Sequence, residues 1–172
     1  GYESIAGQIN AELVKPSTDD SLFVNLYGAN SERLELNTHI NTKVSGKWDT
    51  GLYLHGNTHH GVHDVNNDGF LDMPQYDQIN IMNRWQYTNA ERGFISFINL
   101  KFLNDEKQIG QLDFNPRTDK LTTNSWGSEI DTKRYEISAK LGYVNPEIPW
   151  QSVGVQAAFS GHKQESYFGL NQ

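Results

Sequence analysis

The chain of 172 residues contains no cysteine. This absence excludes disulfide frameworks and thiolate metal sites, and it leaves the redox compartment open. Basic residues are also scarce, since 14 Lys and Arg stand against 21 Asp and Glu and give a formal charge of −7. Binding to a nucleic-acid backbone needs a clustered basic excess, so we do not expect nucleic acid as a partner.

Long apolar runs are missing as well. No run approaches the roughly 18 apolar residues of a membrane helix, and the mean hydropathy is −0.66. A membrane β-barrel is compatible with this value, because its strands alternate lipid-facing and lumen-facing residues and carry only about half the apolar load. The chain opens with Gly-Tyr-Glu, shows no signal peptide and ends in Asn-Gln, which predicts a fragment or a processed product.

Apolar and polar residues alternate with a period of two, in segments separated by turn residues. In the clearest segment Leu34, Leu36 and Ile40 fall on one face, whereas Glu35 and Asn37 fall on the other. Seven such segments follow residue 20, without helical periodicity, internal repeats or low-complexity stretches. Several approach the roughly 9–11 residues with which a tilted strand crosses a bilayer. The pattern predicts an all-β chain of antiparallel up-and-down strands that form part of a transmembrane β-barrel.

The connectors between these strands alternate in length. Outer-membrane barrels have short turns on the periplasmic side and longer loops outside, and only the first connector, at 28–32, is short on the predicted outer side. The other short connectors are 45–47, 88–92 and 144–149, and the long ones are 56–77 and 104–131. Aromatic residues lie beside the short turns, as a girdle at the periplasmic edge requires: Trp48, Trp85, Tyr87, Phe94, Tyr143 and Trp150.

The opening segment resembles part of a known family. Residues 1–16 read GYESIAGQINAELVKP and resemble the end of the plug domain in TonB-dependent outer-membrane receptors, with a Gly-x-Ile-Asn core at 7–10 and a strand ending in Lys-Pro. Gln8 departs from the Gly or Val of many members. Segments 64–74 and 78–85 look like the first long loop and the Asn-Arg-Trp strand of the receptors common in Bacteroidetes.

The resemblance implies a barrel of about 22 strands whose lumen holds a plug. Residues 1–16 would supply the terminal strand of the plug, and residues 17–172 the N-terminal portion of the barrel. It also implies a location in the bacterial outer membrane and energy from the inner-membrane TonB complex. The ligand would be a metal chelate such as a ferric siderophore, or cobalamin.

One loop has the spacing of calcium ligands. Residues 64–72, DVNNDGFLD, match the first nine positions of a calcium loop, in which oxygen ligands alternate along the chain and a glycine permits a sharp turn. The ligands would be Asp64, Asn66, Asp68, the carbonyl of Phe70, and Asp72. Gln75 stands where an EF-hand has Glu, which excludes an EF-hand. A lone Ca²⁺ loop and a plain polar turn both stay open.

Histidines are concentrated just before this loop, at 55, 59, 60 and 63. Imidazoles at such spacing chelate transition metals, so His59, His60 and His63 are candidates for recruiting a metal complex. The alternative is a hydrophilic loop with incidental histidines. The second long loop adds Arg117 and Trp126, which suit a polar ligand and equally a solvated loop.

Catalysis is not expected, because the common nucleophile, zinc, phosphate and dinucleotide motifs are missing. Two functions fit the sequence: a segment of an energy-coupled transporter, or a soluble secreted all-β module that binds calcium and carbohydrate. They differ in what the apolar residues meet, which is lipid in a barrel and a closed core in a sandwich. An open sheet with an exposed apolar belt would favour the barrel.

Overall fold

A single antiparallel sheet dominates the structure, a computed structural model that describes residues 14–169. Its strands are β1 (Leu22–Gly28), β2 (Arg33–Ser45), β3 (Trp48–His59), β4 (Gln75–Asn89), β5 (Phe94–Gly110), β6 (Gly127–Val144) and β7 (Ser152–Gly169). Each strand pairs with the next along the chain. The predicted all-β, up-and-down arrangement of seven strands is therefore confirmed. The sheet is not closed into a barrel, and β1 and β7 form its two edges.

Five strands extend further than apolar alternation indicates. The loop predicted over 56–77 is too wide, because β3 continues to His59 and β4 already begins at Gln75. The loop predicted over 104–131 is also too wide, because β5 continues to Gly110 and β6 begins at Gly127, directly opposite. β7 likewise continues to Gly169 in register with β6. Backbone hydrogen bonds form a ladder whatever the polarity of the side chains, so polarity alone underestimates strand length. The long connectors are 60–74 and 111–126.

The pairing register sorts the side chains onto two faces. One, here called the apolar face, carries the alternating apolar residues of all strands in adjacent positions. Leu100, Ile137 and Phe159, for example, follow one another across β5, β6 and β7. Their exposed fractions are 43%, 54% and 74%. A residue in a closed core would be buried, so no part of residues 14–169 covers the apolar face.

The apolar part of this face has the same length on β5 and β6, and polar residues follow where it ends. It runs from residue 94 to 102 on β5 and from 135 to 143 on β6, which matches the roughly 9–11 residues of a strand that crosses a bilayer. Beyond residue 102 the same face carries Asn104 and Glu106, opposite Lys133 and Asp131. The apolar band is thus bounded where charged residues begin.

Aromatic pairs mark both limits of the band. At the short-turn end, Phe94 and Tyr143 lie 5.0 Å apart between ring centroids, and Trp48 lies 5.1 Å from Tyr87. At the other end, the rings of Phe102 and Tyr135 lie 5.3 Å apart. Aromatic residues at the limits of an apolar band are typical of outer-membrane barrels.

The turn between β4 and β5 shows how the short connectors are built. It is the 3₁₀ helix Ala90–Arg92, which Asn89 caps and Gly93 ends with a φ of 71°. Glycine is needed at this position, because φ is positive and the backbone of Val144 occupies the space of a Cβ. No helix within residues 14–169 is long and apolar enough to span a membrane.

The two long connectors pack against each other at the opposite end of the sheet. Leu71 and Phe114, one from each connector, are buried there. Phe70 forms an isolated β-bridge with Gln111, so backbone hydrogen bonds join the two connectors. These loops therefore share a small core of their own at the end where extracellular loops are predicted.

Candidate functional site

The face opposite the apolar band, here called the polar face, holds residues 14–20. Asn41 on β2 donates a hydrogen bond to the carbonyl of Asp20 at 2.7 Å. Ser17 donates a hydrogen bond to the side chain of Gln86, which lies on β4, at 3.0 Å. The segment before the sheet is thus bound against the polar face of β2–β4. Residues 1–13 of the predicted plug strand lie outside the described residues.

Arg84 is a buried contact between this segment and the sheet. Its Nη1 donates to the carbonyl of Val14 at 3.0 Å, and its guanidinium lies 4.5 Å over the ring of Phe97. Arg84 is 7% exposed and Phe97 is 8% exposed. A buried charge is costly unless hydrogen bonds and ring contacts compensate it. The arrangement therefore ties the position of Arg84 to that of residue 14.

Beside Arg84, a group of rings extends the contact with residues 14–20. The Tyr53 hydroxyl donates to Asn41 at 2.9 Å, and the ring of His39 lies 5.3 Å from that of Tyr53. His39 Nε2 lies 3.3 Å from a carboxylate oxygen of Asp19. On its other side His39 stacks on Phe23 with ring centroids 5.4 Å apart. The segment consequently makes a polar contact with His39, whose ring packs between those of Phe23 and Tyr53.

A row of polar side chains crosses β2–β5 on the same face, one level nearer the long connectors. His55 Nδ1 lies 2.6 Å from Asn37 Oδ1, and Asn57 lies 3.0 Å from His55 Nε2. Asn57 donates onward to Gln78 at 3.1 Å, and Gln78 donates to Asp105 at 3.3 Å. No sequence motif indicates this row, because its members come from four strands and meet only through the register.

The three candidate histidines do not act as one group. His59 is fully buried at 0% exposure, and its Nδ1 lies 2.9 Å from the carbonyl of Pro74. His63 lies next to it, with ring centroids 6.2 Å apart. His60 lies on the other side of the strand and pairs with Asp77 at 3.1 Å. A metal complex that arrives from solvent would therefore meet His60 or His63 rather than His59.

Asp77 is held as a carboxylate near the end of the apolar face. Partial burial raises the pKa of Asp77, but the hydrogen bonds that Thr58 and His60 donate outweigh this effect, and the pKa lies below its ordinary value. The Thr58 hydroxyl donates at 2.6 Å. Asp77 consequently carries a negative charge at neutral pH.

The predicted calcium loop is curled and internally hydrogen-bonded. Both carboxylate oxygens of Asp64 accept backbone N–H groups at 3.0 Å, from Asp68 and Gly69. Asn66 donates to Asp68 at 2.9 Å, and Asp72 accepts a backbone N–H at 2.7 Å. Within residues 14–169 no three His, Asp or Glu side chains are grouped as metal ligands. Calcium at this loop stays a prediction.

The second long connector places its two candidate residues differently. The ring of Trp126 lies 5.9 Å from that of Phe70, so Trp126 packs against the predicted calcium loop. Arg117 is exposed. Between them, Asp119 accepts the backbone N–H of Asn115 at 2.7 Å, and this bond holds the pKa of Asp119 below its ordinary value. The ionised carboxylate therefore stabilises the turn of this connector.

The candidate site thus has two parts, a polar face that holds residues 14–20 and a packed pair of long connectors at one end. Both are suited to holding a bound group through hydrogen bonds and ring contacts. Comparison of the chain with known proteins found no matching family model, no matching curated protein and no matching solved structure.

Proposed function

We propose that the chain forms part of a transmembrane β-barrel in the bacterial outer membrane, within a TonB-dependent receptor. One observation carries the proposal. A single sheet has an exposed apolar face of bilayer height on one side, and on the other a polar face that holds residues 14–20. Lipid would meet the first face, and the lumen with its plug would lie against the second.

The two edges of the sheet fit this proposal. In lipid each unpaired backbone N–H or C=O costs several kcal/mol, so a sheet in a membrane must close on itself. β1 and β7 each pair on one side only. Further strands must therefore complete the barrel, as the expected 17–172 portion of a larger barrel requires.

The uncovered apolar face favours the barrel over the soluble calcium- and carbohydrate-binding module. A sandwich buries such a face beneath a second sheet. Leu34 and Val155, near opposite edges of the sheet, are 61% and 63% exposed, and residues 14–169 form one sheet only. Within this part of the chain there is no second sheet to cover the apolar face, as a soluble sandwich would require.

The transport activity that follows is energy-coupled uptake without covalent chemistry. A ligand too large for simple pores would bind at the long connectors, where His60, His63, Arg117 and Trp126 lie. The TonB complex would then act through the plug, of which residues 14–16 form the last part. A ferric siderophore, another metal chelate or cobalamin is the proposed ligand, and its choice rests on the family resemblance.

Uptake in cells that produce the protein containing this chain tests the proposal. We expect the protein in the outer-membrane fraction, and loss of its gene should abolish accumulation of a radiolabelled ferric siderophore or of cobalamin. Collapse of the proton gradient should have the same effect, because TonB energy depends on that gradient. Recovery of the protein from the soluble fraction would contradict the membrane location, and gradient-independent uptake would contradict the TonB mechanism.

We also propose that residues 64–72 bind Ca²⁺ weakly, since the curled loop brings Asp64, Asn66 and Asp68 together. Extracellular calcium modules have dissociation constants of about 10⁻⁴–10⁻³ M. Calorimetric titration should show binding in this range, and the double variant Asp64→Asn/Asp68→Asn should abolish it. Asp113→Asn, in the other long connector, should leave it unchanged. Equal binding by the double variant and the unaltered chain would exclude the loop as the site.

A further inference from the structure

His39 on β2 lies between the polar face and residues 14–20. Its ring packs between those of Phe23 and Tyr53, with centroids 5.4 and 5.3 Å away. Its Nε2 lies 3.1 Å from the carbonyl oxygen of Asp20 and 3.3 Å from Oδ2 of Asp19. The side chain of His39 is 13% exposed. The sheet therefore holds the ring, while one nitrogen of that ring faces the segment.

The two oxygens decide which nitrogen of His39 carries a proton when the ring is neutral. A carbonyl oxygen and a carboxylate oxygen only accept hydrogen bonds, so the proton lies on Nε2, which donates to Asp20. A second proton then binds at Nδ1 and makes the ring positive. Histidine changes its charge between about pH 5 and pH 8. The contact can thus gain a positive charge while its hydrogen bond at Nε2 is kept.

The carboxylate of Asp19 lacks a partner that a positive ring would supply. Its Oδ2 is buried and accepts no hydrogen bond from residues 14–169, although His39 Nε2 lies 3.3 Å away. A buried polar atom without a hydrogen bond is costly, and attraction to a positive ring would offset that cost. The face of Phe23, on which His39 stacks with 17° between the ring planes, also attracts a cation.

Other groups on this face are too distant from Asp19 or already paired. Lys101 lies at the level of His39, but Tyr53 and Met82 stand between them, and it pairs with Glu136 at 3.5 Å. Arg84 donates to the Val14 carbonyl. The remaining titratable groups around His39 are Asp20 before the sheet, Glu35 and Lys43 on β2, and Tyr53 and His55 on β3. His39 is consequently the basic group placed to answer the charge of Asp19.

We propose that His39 is a pH-sensitive contact that holds residues 14–20 more tightly against the polar face when its ring is protonated. The additional attraction is present at acid pH and is lost as the pH rises and the ring becomes neutral. The contact itself needs only the fold. Its effect on transport rests on the proposed function, in which residues 14–16 end the plug, so that acid pH would fasten the plug to the barrel wall.

A spin label on the variant Thr18→Cys measures the attachment in the full protein, purified in mild detergent, at about pH 5.5 and about pH 8. We expect the ratio of restricted to mobile label to be roughly threefold higher at the acid pH, as the modest strength of an ion pair near the surface predicts. His39→Gln cannot become charged and should give the same low ratio at both pH values. His39→Arg is always charged and should give a high ratio at both.

The matched control is His55→Gln. His55 lies on the same face, but its Nδ1 contacts Asn37 rather than residues 14–20. This variant should respond to pH as the unaltered protein does.

Four results would overturn the pH-sensitive contact. They are equal ratios at both pH values in the unaltered protein, a response that persists in His39→Gln, a response lost equally in His55→Gln, and low ratios in both His39→Gln and His39→Arg. The last result would show that His39 serves packing alone. Because none of these measurements involves uptake, they test the contact separately. Recovery of the protein from the soluble fraction would instead reject the proposed function.

Discussion

Arginine in place of Ala157 should prevent stable insertion of the sheet into a bilayer. Ala157 lies on the apolar face of β7, opposite Ala139 and level with the middle of the band. A lysine or arginine on the lipid face at the bilayer midplane costs about 2–4 kcal/mol. We expect the Ala157→Arg protein to accumulate outside the membrane fraction and to lose protection from added protease.

The neighbouring alanine provides a matched control. Ala158 is also exposed but lies on the polar face, opposite Ser138. Ala158→Arg adds the same charge one residue away and should insert as the unaltered protein does. If both variants inserted equally well, or both failed equally, the assignment of the apolar face to lipid would be wrong.

Loss of the Arg84 side chain should weaken the attachment of residues 14–20 to the polar face. Arg84 donates to the Val14 carbonyl and lies over Phe97. A hydrogen bond from a charged group contributes about 1.5–3 kcal/mol. We expect Arg84→Ala to weaken the attachment by at least this amount, because the cation–π contact is lost as well. Arg84→Lys should be intermediate, since it keeps the charge but not the planar group.

The measurement uses the absence of cysteine from the chain. A spin label on the variant Thr18→Cys should give a more mobile spectrum in Arg84→Ala, although the contacts of Ser17, Asp19 and Asp20 with the sheet remain. Arg134→Ala is the control, because Arg134 lies on the polar face of β6 and pairs with Glu136 on its own strand. An unchanged spectrum in Arg84→Ala, or an equal change in both variants, would show that Arg84 does not hold the segment.

Most contacts of the candidate site could not be predicted from the sequence, because they join residues that are far apart along the chain. Arg84 appears in the sequence only as one polar residue of an alternating strand, and its partner Val14 lies 70 positions earlier. Non-local pairs of this kind follow from the register and from the path of the chain outside the sheet. The same holds for His59 and His60, which are adjacent in sequence but lie on opposite sides of the strand end because successive side chains alternate.

The ends of the strands were also decided by pairing rather than by side-chain pattern. Gly110 and Gly127 belong to the ladder because their backbones face each other, although the segments around them resemble a polar loop. Similarly, Leu71 and Phe114 are buried only because two distant connectors meet. A local pattern cannot report contacts that depend on the position of another segment.

The fold class and the identity of the two faces follow from the sequence alone. Period-two alternation assigns Leu34 and Leu36 to one side and Glu35 and Asn37 to the other, whatever the partner strands are. Only the three-dimensional structure shows that no part of residues 14–169 covers the apolar face and that the polar face holds residues 14–20. Those features depend on which strands lie side by side and on what packs over them.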